Sequence, residues 1–388
     1  MLQLKEKNYL QHNLQLHYEE IKSFKKKSTF LKSSCYSQIK TELNHILNGL
    51  EWDNTLSAKN ESTKEIRIVS WNIERGKQLD GIVKYFKENP ELSKADVVLV
   101  IECDNGMGRT SNRNVARELA ESIGMNYCFA PSYLVLGKGA LGETNHTDEN
   151  TTSLHGTAIL SKFPIGFAKS VDVPPVKEVF HSSEKRLGCK KGLIAQIQLG
   201  NTTIGLGAIH VDLSSDAIDR AKQLNAVINE IPASDIQLIG GDFNCSTFNL
   251  RTKWGLFKQI VQKYFTVGFN GAIENYMTPE KIFDKPMFDA LINKGFDFNS
   301  FNNREKGTIY FDINDLLHSE KTKKFVPPFF MRYLERKLRP WNGCVPLKID
   351  WFAGKGGLVV NSETIERPTH QNILLSDHNP IFIDLKLN

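Results

Sequence analysis

The chain has 388 residues, of which 40% are hydrophobic, 24% charged and 10% aromatic. This composition can build a sizeable core, and it excludes disordered, collagenous and coiled-coil proteins. Lys and Arg outnumber Asp and Glu by 49 to 44, and a net charge of +5 on so large a surface indicates no class of partner. The length still permits a single large α/β domain with additions.

Cysteine usage and hydropathy restrict the cellular setting. The six cysteines are too sparse and unpatterned for a disulfide scaffold, and no CxxC zinc spacing occurs. The first twenty residues carry charge every few positions and lack the apolar run of a secretory signal. No run of about 18 apolar residues could span a bilayer. We therefore expect a cytoplasmic protein without a transmembrane segment.

Residues 1–62 differ in pattern from the rest and predict a helical extension followed by a linker. Apolar residues fall at helical spacing over 10–21 and 36–50, and Ser33 or Ser34 suits the N-cap of the second helix. The polar stretch that follows lacks aromatic residues and predicts the linker. The extension needs a surface to pack on.

From residue 66 onward, short apolar runs rich in Val and Ile predict strands. Helical patterns lie between them at 79–89, 112–124 and 214–232, the last with Ser214 and Ser215 as candidate caps. A Gly-Asn turn between two adjacent strands predicts a hairpin. A mixed-sheet α/β sandwich fits this order better than a purely parallel doubly wound sheet.

Residues 246–347 predict a long, less regular insertion in the domain that spans 63–388. Over 251–348 there are 17 Lys and Arg against 10 Asp and Glu, so the chain's positive excess is concentrated here. Over 318–339 seven basic residues are interleaved with aromatic ones. Such a segment suits single-stranded nucleic acid or an anionic membrane surface. A helix that packs its apolar side on the sandwich explains it equally well.

Polar residues that could carry chemistry stand where the predicted strands end. Residues two apart on a strand point to the same side. A single carboxylate after a strand is usually a turn former or a helix cap. Repetition at five strand ends or approaches is not explained in that way, and strand-end loops often build active sites. The residues are Asn72 with Glu74, Glu102, His210 with Asp212, Asp242 with Asn244, and Asp377 with His378.

The ordered motifs resemble the endonuclease/exonuclease/phosphatase superfamily, which includes deoxyribonuclease I. They are WNIE (71–74), IE (101–102), GTAILSKFPI (156–165), AIHVD (208–212), GGDFN (240–244), IDW (349–351) and SDHNPI (376–381). The resemblance implies a four-layered sandwich of two mixed β-sheets flanked by helices. It leaves the N-terminal extension unmatched.

The resemblance also implies roles for individual residues. The implied metal site holds Mg²⁺, with Mn²⁺ as a possible substitute, on Asn72, Glu74, Glu102 and Asp377. The implied catalytic residues are His210, Asp242, Asn244, Asp350 and His378. In this scheme Asp242 orients or deprotonates the attacking water, and Asp350 pairs with His378. Whether His378 or Asp242 is the base is left open by the sequence.

Substrate contacts are harder to read from the sequence. Arg109, Asn112 and Arg113 follow Glu102 and are candidates to reach substrate. Lys191, in a Lys-Lys pair before a strand, is a weaker candidate, because such a pair is usually solvated. His155 is left unassigned.

The sequence therefore predicts a Mg²⁺-dependent phosphoric ester hydrolase, foremost a nuclease-type phosphodiesterase that uses in-line attack of an activated water. Its partner is a phosphate-ester substrate, with nucleic acid as the first candidate and peripheral contact with an anionic membrane as a second. An alternative is a phospholipid or inositol-phosphate hydrolase. A binding protein without turnover is disfavoured by the intact residue set. Protein partners and oligomeric state are not predicted.

Overall fold

The structure is a computed structural model that describes residues 6–56, 64–139, 146–246, 267–312 and 328–387. Within these ranges, no helix is both long enough and apolar enough to cross a membrane. Each of the six cysteines is a free thiol.

Eighteen strands are defined in the described chain. They are β1 (Lys7–Asn8), β2 (Glu51–Asp53), β3 (Glu65–Arg75), β4 (Val97–Asn105), β5 (Asn126–Val135), β6 (Leu154–Ser161), β7 (Ile165–Asp172), β8 (Arg186–Gly188), β9 (Lys191–Leu199), β10 (Thr202–His210), β11 (Ile236–Asp242), β12 (Ile309–Asp312), β13 (Cys344–Leu347), β14 (Asp350–Lys355), β15 (Leu358–Thr364), β16 (Thr369–His370), β17 (Ile373–Leu374) and β18 (Ile381–Lys386).

The helices mostly connect strands of the same sheet. They are α1 (Tyr18–Ser23), α2 (Lys27–Phe30), α3 (Ser34–Asn48), α4 (Leu79–Glu88), α5 (Val115–Ile123), α6 (Ala217–Ile228), α7 (Lys285–Asn293) and α8 (Pro328–Leu338). Residues 267–277 are also helical.

The strands form two main sheets of mixed direction. The larger has the order β1-β2-β5-β6-β4-β3-β18-β15, with β8 added to β5, and the smaller has the order β14-β11-β10-β9-β7. Each contains one parallel pair, β3 with β4 and β10 with β11. The predicted hairpin is present as the antiparallel pair β9–β10.

The sheets pack face to face, and three buried clusters hold the layers together. The central cluster lies between the sheets and includes Ile68, Leu99, Leu206 and Leu238. A second joins the larger sheet to α3, α4 and α5, and a third joins the smaller sheet to α6 and α7. The predicted four-layered sandwich is confirmed.

The N-terminal segment packs on the larger sheet. Its buried Leu14 and Ile21 belong to the same cluster as residues of β3 and β4. Ser33 caps α3 by accepting the backbone N–H of Tyr36 at 3.1 Å. The segment also contains β1 and β2, which extend the sheet edge and which the helical pattern did not predict.

Three helices lie within the predicted ranges, but one cap differs from the prediction. Asp216 caps α6, because its carboxylate accepts the N–H groups of Ile218 and Asp219 at 3.1 and 3.0 Å. Ser215 instead donates its hydroxyl to the Asp212 carbonyl. The Asp216 carboxylate accepts from two backbone N–H groups of the helix, whereas a serine hydroxyl would accept from one.

The described part of the insertion supports the smaller sheet. Phe288 of α7 and Phe298 pack edge-on against Trp351 with ring centroids 4.9 and 6.2 Å away. Thr308 Oγ1 accepts the backbone N–H groups of Ile349 and Asp350 at 2.9 and 3.0 Å. The insertion therefore helps to position Asp350. The lysines at 321, 323 and 324 lie outside the described residues.

Candidate active site

Three neighbouring strands of the smaller sheet place a histidine and two aspartates in one row. His210 is directly opposite Asp242 in the parallel pair β10–β11. Asp242 is directly opposite Asp350 in the antiparallel pair β11–β14. Ala208, two residues before His210, belongs to the cluster between the sheets, and strand alternation gives both side chains the same direction. The row therefore continues the inward-facing side chains of the core to the rim of the sandwich.

Close packing at this row depends on a glycine in the GGDFN motif. Gly241 has φ +138°, and a Cβ there would lie 2.0 Å from the Ile209 carbonyl oxygen. A side chain at this position would push β11 away from β10. Gly241 thus keeps Asp242 in register with His210.

The larger sheet brings the second half of the site from β3 and β4. Asn72 is buried, and its Nδ2 lies 3.4 Å from Asp242 Oδ2. Irregular register follows Asn72 on β3 and Ile101 on β4. Glu102 stands at the second irregularity with φ +62°, a left-handed conformation that costs energy for a side-chain-bearing residue. Such outliers are common at functional sites, where they turn a side chain out of the strand pattern.

His378 reaches the row from the loop before β18. Trp71 Nε1 donates to the His378 carbonyl at 2.9 Å, and Ser376 Oγ donates to the Asn72 carbonyl at 2.7 Å. The His378 N–H in turn donates to Ser376 Oγ at 3.1 Å. These bonds attach the SDH motif to β3 and fix the imidazole in the site.

Asp242 is the centre of the constellation. Asn244 donates its backbone N–H to Asp242 Oδ1 at 2.9 Å and its Nδ2 to Oδ2 at 3.2 Å. His210 Nε2 lies 3.3 Å from the same Oδ2. Burial and the neighbouring Asp350 charge raise the pKa of Asp242 to about 7, against the lowering effect of His378 and Lys190. A carboxylate with that pKa can take up a proton near neutral pH.

His378 and Asp350 form a buried ion pair. His378 Nδ1 donates to Asp350 Oδ2 at 2.8 Å, and Nε2 lies 4.0 Å from Asp242 Oδ2. Burial alone would lower the pKa of His378, but the Asp350 carboxylate outweighs it and raises that pKa well above the usual value. His378 is therefore a cation at neutral pH, with Nε2 directed at the site.

Glu102 lines an adjoining cleft of about 420 Å³ together with His155, Lys190 and His210. Its carboxylate oxygens lie 3.9 Å from Arg75 Nη1 and 3.8 Å from His210 Nδ1, both longer than a hydrogen bond. Burial tends to raise the pKa of Glu102, but its electrostatic interactions with His210 and Arg75 outweigh this effect and hold that pKa below its usual value. The carboxylate is ionised and open to a cation.

The other two predicted metal residues lie further out. Asp377 precedes His378 and is exposed, and Ser376 Oγ lies 3.4 Å from its Oδ1. Glu74 is two residues beyond Asn72, and its Oε1 accepts a hydrogen bond from Lys77 Nζ at 2.6 Å. The structure thus brings Asn72, Glu102 and the five predicted catalytic residues together, and leaves these two at the margin.

The predicted substrate-binding residues are engaged elsewhere. Arg109 forms buried ion pairs with Asp104 and Glu184. Arg113 pairs with the carboxylates of Asp80 and Glu118, and Asn112 donates to the Glu149 carbonyl. Lys191 contacts Asn48 and Asp172. The structure places none of these four in the cleft.

Two residues that the sequence left unassigned lie in the cleft instead. Lys190 lines it and donates from Nζ to the Val211 carbonyl at 2.7 Å. His155 lines it too, with Nδ1 2.8 Å from Asp104 Oδ1. The Lys-Lys pair indicated a substrate contact, but the sequence pattern did not show that Lys190, and not Lys191, faces the cleft. Nothing in the sequence around His155 indicated its partner.

Two sets of donor atoms in the site are candidates to hold a divalent metal. The ligand atoms of Asp242, Asp350 and His378 lie within 4.8 Å of one another, close enough to hold an ion. His378 in this group is engaged with Asp350 and suits transition metals better than Mg²⁺. The Glu102 side offers oxygen donors and an ionised carboxylate, which fits a hard cation.

The sequence between β3 and the SDH motif matches one known family. The Endonuclease/Exonuclease/phosphatase family matches residues 69–378. The chain belongs to this family. Its members hydrolyse phosphoester bonds, in general with a divalent metal, so the protein is a phosphoric ester hydrolase. A comparison with curated proteins found no match.

Solved structures are similar to this chain at low sequence identity. An endonuclease/exonuclease/phosphatase from Beutenbergia cavernae aligns with a TM-score of 0.50 at 14% identity, over 84% of this chain and 72% of that chain. A family protein from Leptotrichia buccalis aligns with a TM-score of 0.47 at 13% identity, over 83% of this chain and 100% of that chain.

Proposed function

We propose that the protein is a Mg²⁺-dependent phosphodiesterase of the nuclease type, in which Asp242 activates the attacking water. The observation that carries the proposal is the position of Asp242, contacted by Asn72, Asn244 and His210 and facing the His378–Asp350 pair. A carboxylate held by several donors has a fixed orientation, which in-line attack on phosphorus requires.

Asp242 supplies the base in this proposal. At pH values above about 7 it is ionised and can take a proton from water as the oxygen attacks phosphorus. The amide groups of Asn72 and Asn244 keep the carboxylate turned toward the substrate. His210, whose pKa is lowered well below its usual value by burial and by Lys190, has its Nε2 3.3 Å from Asp242 Oδ2 and can donate a hydrogen bond to it.

His378 has the complementary role. It is cationic through its bond to Asp350, and its Nε2 faces the space beside Asp242. A cation there stabilises the negative charge that gathers on the phosphoryl oxygens in the transition state. Asp350 acts through His378 and is a positioning residue.

The proposed metal-binding residues are Glu102, Asn72 and Asp377, with Glu74 as a further candidate. Mg²⁺ bound there would supply positive charge to a non-bridging phosphate oxygen. Glu102 is the strongest of them, because it is ionised, lines the cleft and makes no contact as short as a hydrogen bond with Arg75 or His210. Mn²⁺ is expected to substitute.

The proposal is tested with Mg²⁺ and a panel of a chromogenic phosphodiester, single- and double-stranded DNA, RNA, sphingomyelin and inositol phosphates. We expect EDTA-sensitive hydrolysis of the phosphodiester and of a nucleic acid. Turnover of sphingomyelin or inositol phosphates alone would instead favour the alternative substrate class.

A further inference from the structure

The cleft extends beyond the catalytic groups to a loop that links β7 and β8. This segment, residues 173–185, is called the wall loop. Its residues Lys177, His181 and Ser182 line the cleft that Glu102 and His210 line from the sheets. A volume of about 420 Å³ lies within the range of small-ligand sites, about 300–1,000 Å³. The cleft therefore has room for parts of a substrate that flank the reacting phosphate.

The N-terminal extension holds the wall loop in place. Phe30 of α2 stacks on Phe180 with ring centroids 5.6 Å apart and an interplanar angle of 18°. Lys185 Nζ donates to the Lys22 carbonyl at 2.9 Å and also to the Phe24 carbonyl. Both Phe30 and Phe180 are fully buried. The conformation of the wall loop thus depends on residues that the family match does not cover.

The extension also sets the charge of the wall loop. Glu178 lines the cleft, and its Oε1 accepts the backbone N–H groups of Val179 and Phe180 at 3.0 Å each. Its Oε2 lies 3.1 Å from Lys27 Nζ of α2. Lys27 neutralises Glu178, whereas Lys177 and His181 form no ion pair within the described part of the chain.

We propose that the wall loop binds a second phosphate group of the substrate, and that Lys27 of the N-terminal extension makes this possible by neutralising Glu178. The inference rests on the proposed function, which places the reacting phosphate at Asp242. Lys177 and His181 would contact the second phosphate. Adjacent nucleotides of a nucleic acid and a phosphorylated inositol both carry such a group.

Further cations that line the cleft support an anionic occupant. The Arg186 guanidinium stands 5.2 Å from the centre of the Tyr133 ring and is paired with the Glu184 carboxylate, and Lys190 interacts electrostatically with Asp212 and Glu102. Both line the cleft together with Lys177. A substrate with two phosphates would meet Lys190 and Arg186 in addition to Lys177.

The test compares ligands that differ only in the second phosphate, with binding measured by calorimetry in EDTA so that turnover is not required. One pair is thymidine 3′,5′-bisphosphate and thymidine 5′-monophosphate, and the other is inositol 1,4-bisphosphate and inositol 1-phosphate. We expect the wild type to prefer the bisphosphate of at least one pair by about tenfold. Preference within only one pair identifies the source of the phosphate and still supports the subsite.

The variants separate charge from folding. Lys27→Ala and Lys177→Ala should each reduce the preference by about three- to tenfold, since one charge is lost at a partly exposed position. In Lys27→Ala/Glu178→Gln the preference should return, because the unpaired carboxylate is gone. Lys25→Ala, an exposed lysine two residues before Lys27, is the control and should retain the wild-type preference.

Equal binding within both pairs, or binding of none of the four ligands, would overturn the proposal. A double variant Lys27→Ala/Glu178→Gln whose preference for the bisphosphate stays as low as that of Lys27→Ala would also overturn it. Because turnover is not measured, failure of the hydrolysis panel would contradict the proposed function separately from this result.

Discussion

Asp242 and Asp350 face each other across the antiparallel strands β11 and β14, and His378 lies between their carboxylates. His378 Nδ1 is 2.8 Å from Asp350 Oδ2, and Nε2 is 4.0 Å from Asp242 Oδ2. Two buried carboxylates with one cation between them cannot both be ionised without cost. Asp350 retains the cation, and Asp242 is left with a raised pKa.

Replacing Asp242 should therefore separate activity from stability. Asp242→Asn should lower kcat by about 10²- to 10⁴-fold, the usual contribution of a general base. The amide has the same shape without the buried charge, so the melting temperature should be unchanged or higher. Steady-state assays and thermal unfolding of the same preparation check both. Full activity would refute the role of Asp242.

The stability of this pair should depend on pH with a defined sign. The pKa of Asp242 is about 7 in the folded protein against 3.8 for the unperturbed group. The contribution of Asp242 to the free energy of unfolding is therefore fully present below pH 3.8 and is lost as the pH rises through 7. Asp242→Asn lacks this loss, so its gain in melting temperature should be larger at about pH 8 than at about pH 5. An equal gain at both values would contradict the raised pKa.

Activity should rise with pH through about 7 as Asp242 loses its proton. Lys190 lowers the pKa of Asp242, so Lys190→Met should move this limb of the kcat profile to higher pH. Lys191→Met is the matched comparison, because its ammonium contacts Asn48 and Asp172. In Lys191→Met the pH at which kcat rises should be unchanged. A shift in both variants, or in neither, would count against the assignment of Lys190 to the cleft.

Glu102 should control metal affinity. Glu102→Gln should raise the Mg²⁺ concentration for half-maximal activity by at least about tenfold, since a charged oxygen ligand is lost. Asp377→Asn should shift the titration in the same direction. Glu65→Gln, an exposed residue of β3, is the control. An unchanged titration for Glu102→Gln would remove it from the metal site.

The basic segment of the insertion offers a test of the nucleic-acid substrate. On α8, Arg336 and Lys337 are exposed while Leu338 is buried against Ile273 and Val345, as expected for a packed amphipathic helix. If the segment binds nucleic acid, its neutralisation should reduce the slope of log KM against log salt by about one for each phosphate that the protein no longer neutralises.

The variant and its control remove the same number of charges. The variant changes to Gln the residues Lys321, Lys323, Lys324, Arg336 and Lys337. The control changes to Gln the exposed residues Lys40, Lys64, Lys84, Lys87 and Lys386. Equal slopes for the variant and the control would indicate that the segment has a structural role and does not bind nucleic acid.

The strand-end pattern predicted much of the fold and most of the central cluster. In the structure Asn72 shares the strand alternation of Ile68, and Asp242 shares that of Leu238, so both face inward where the sheets meet. The register could not be predicted, because Asp242 and Asp350 are far apart in the chain and pair only through β11 and β14. The ordered motifs supplied that link through resemblance.

Contacts distant in sequence account for what the pattern missed. Arg109 follows Glu102 in the sequence, which predicts a substrate contact. Its partner Glu184 lies in the wall loop, and the two residues form a buried ion pair instead. The strands β1 and β2 are too short to show alternation, and they form because β2 adds to the edge at β5 and β1 adds to β2. The wall loop has no motif, and its place in the cleft follows from Phe30 and Lys27.

The most direct test of the central claim is the release of nitrophenol from bis(p-nitrophenyl) phosphate by the wild type, Asp242→Asn and His378→Ala at equal concentration. The account predicts Mg²⁺-dependent release by the wild type that EDTA abolishes, and a loss of about 10²-fold or more in both variants. Release that persists in EDTA, or that proceeds equally in the variants, would contradict it.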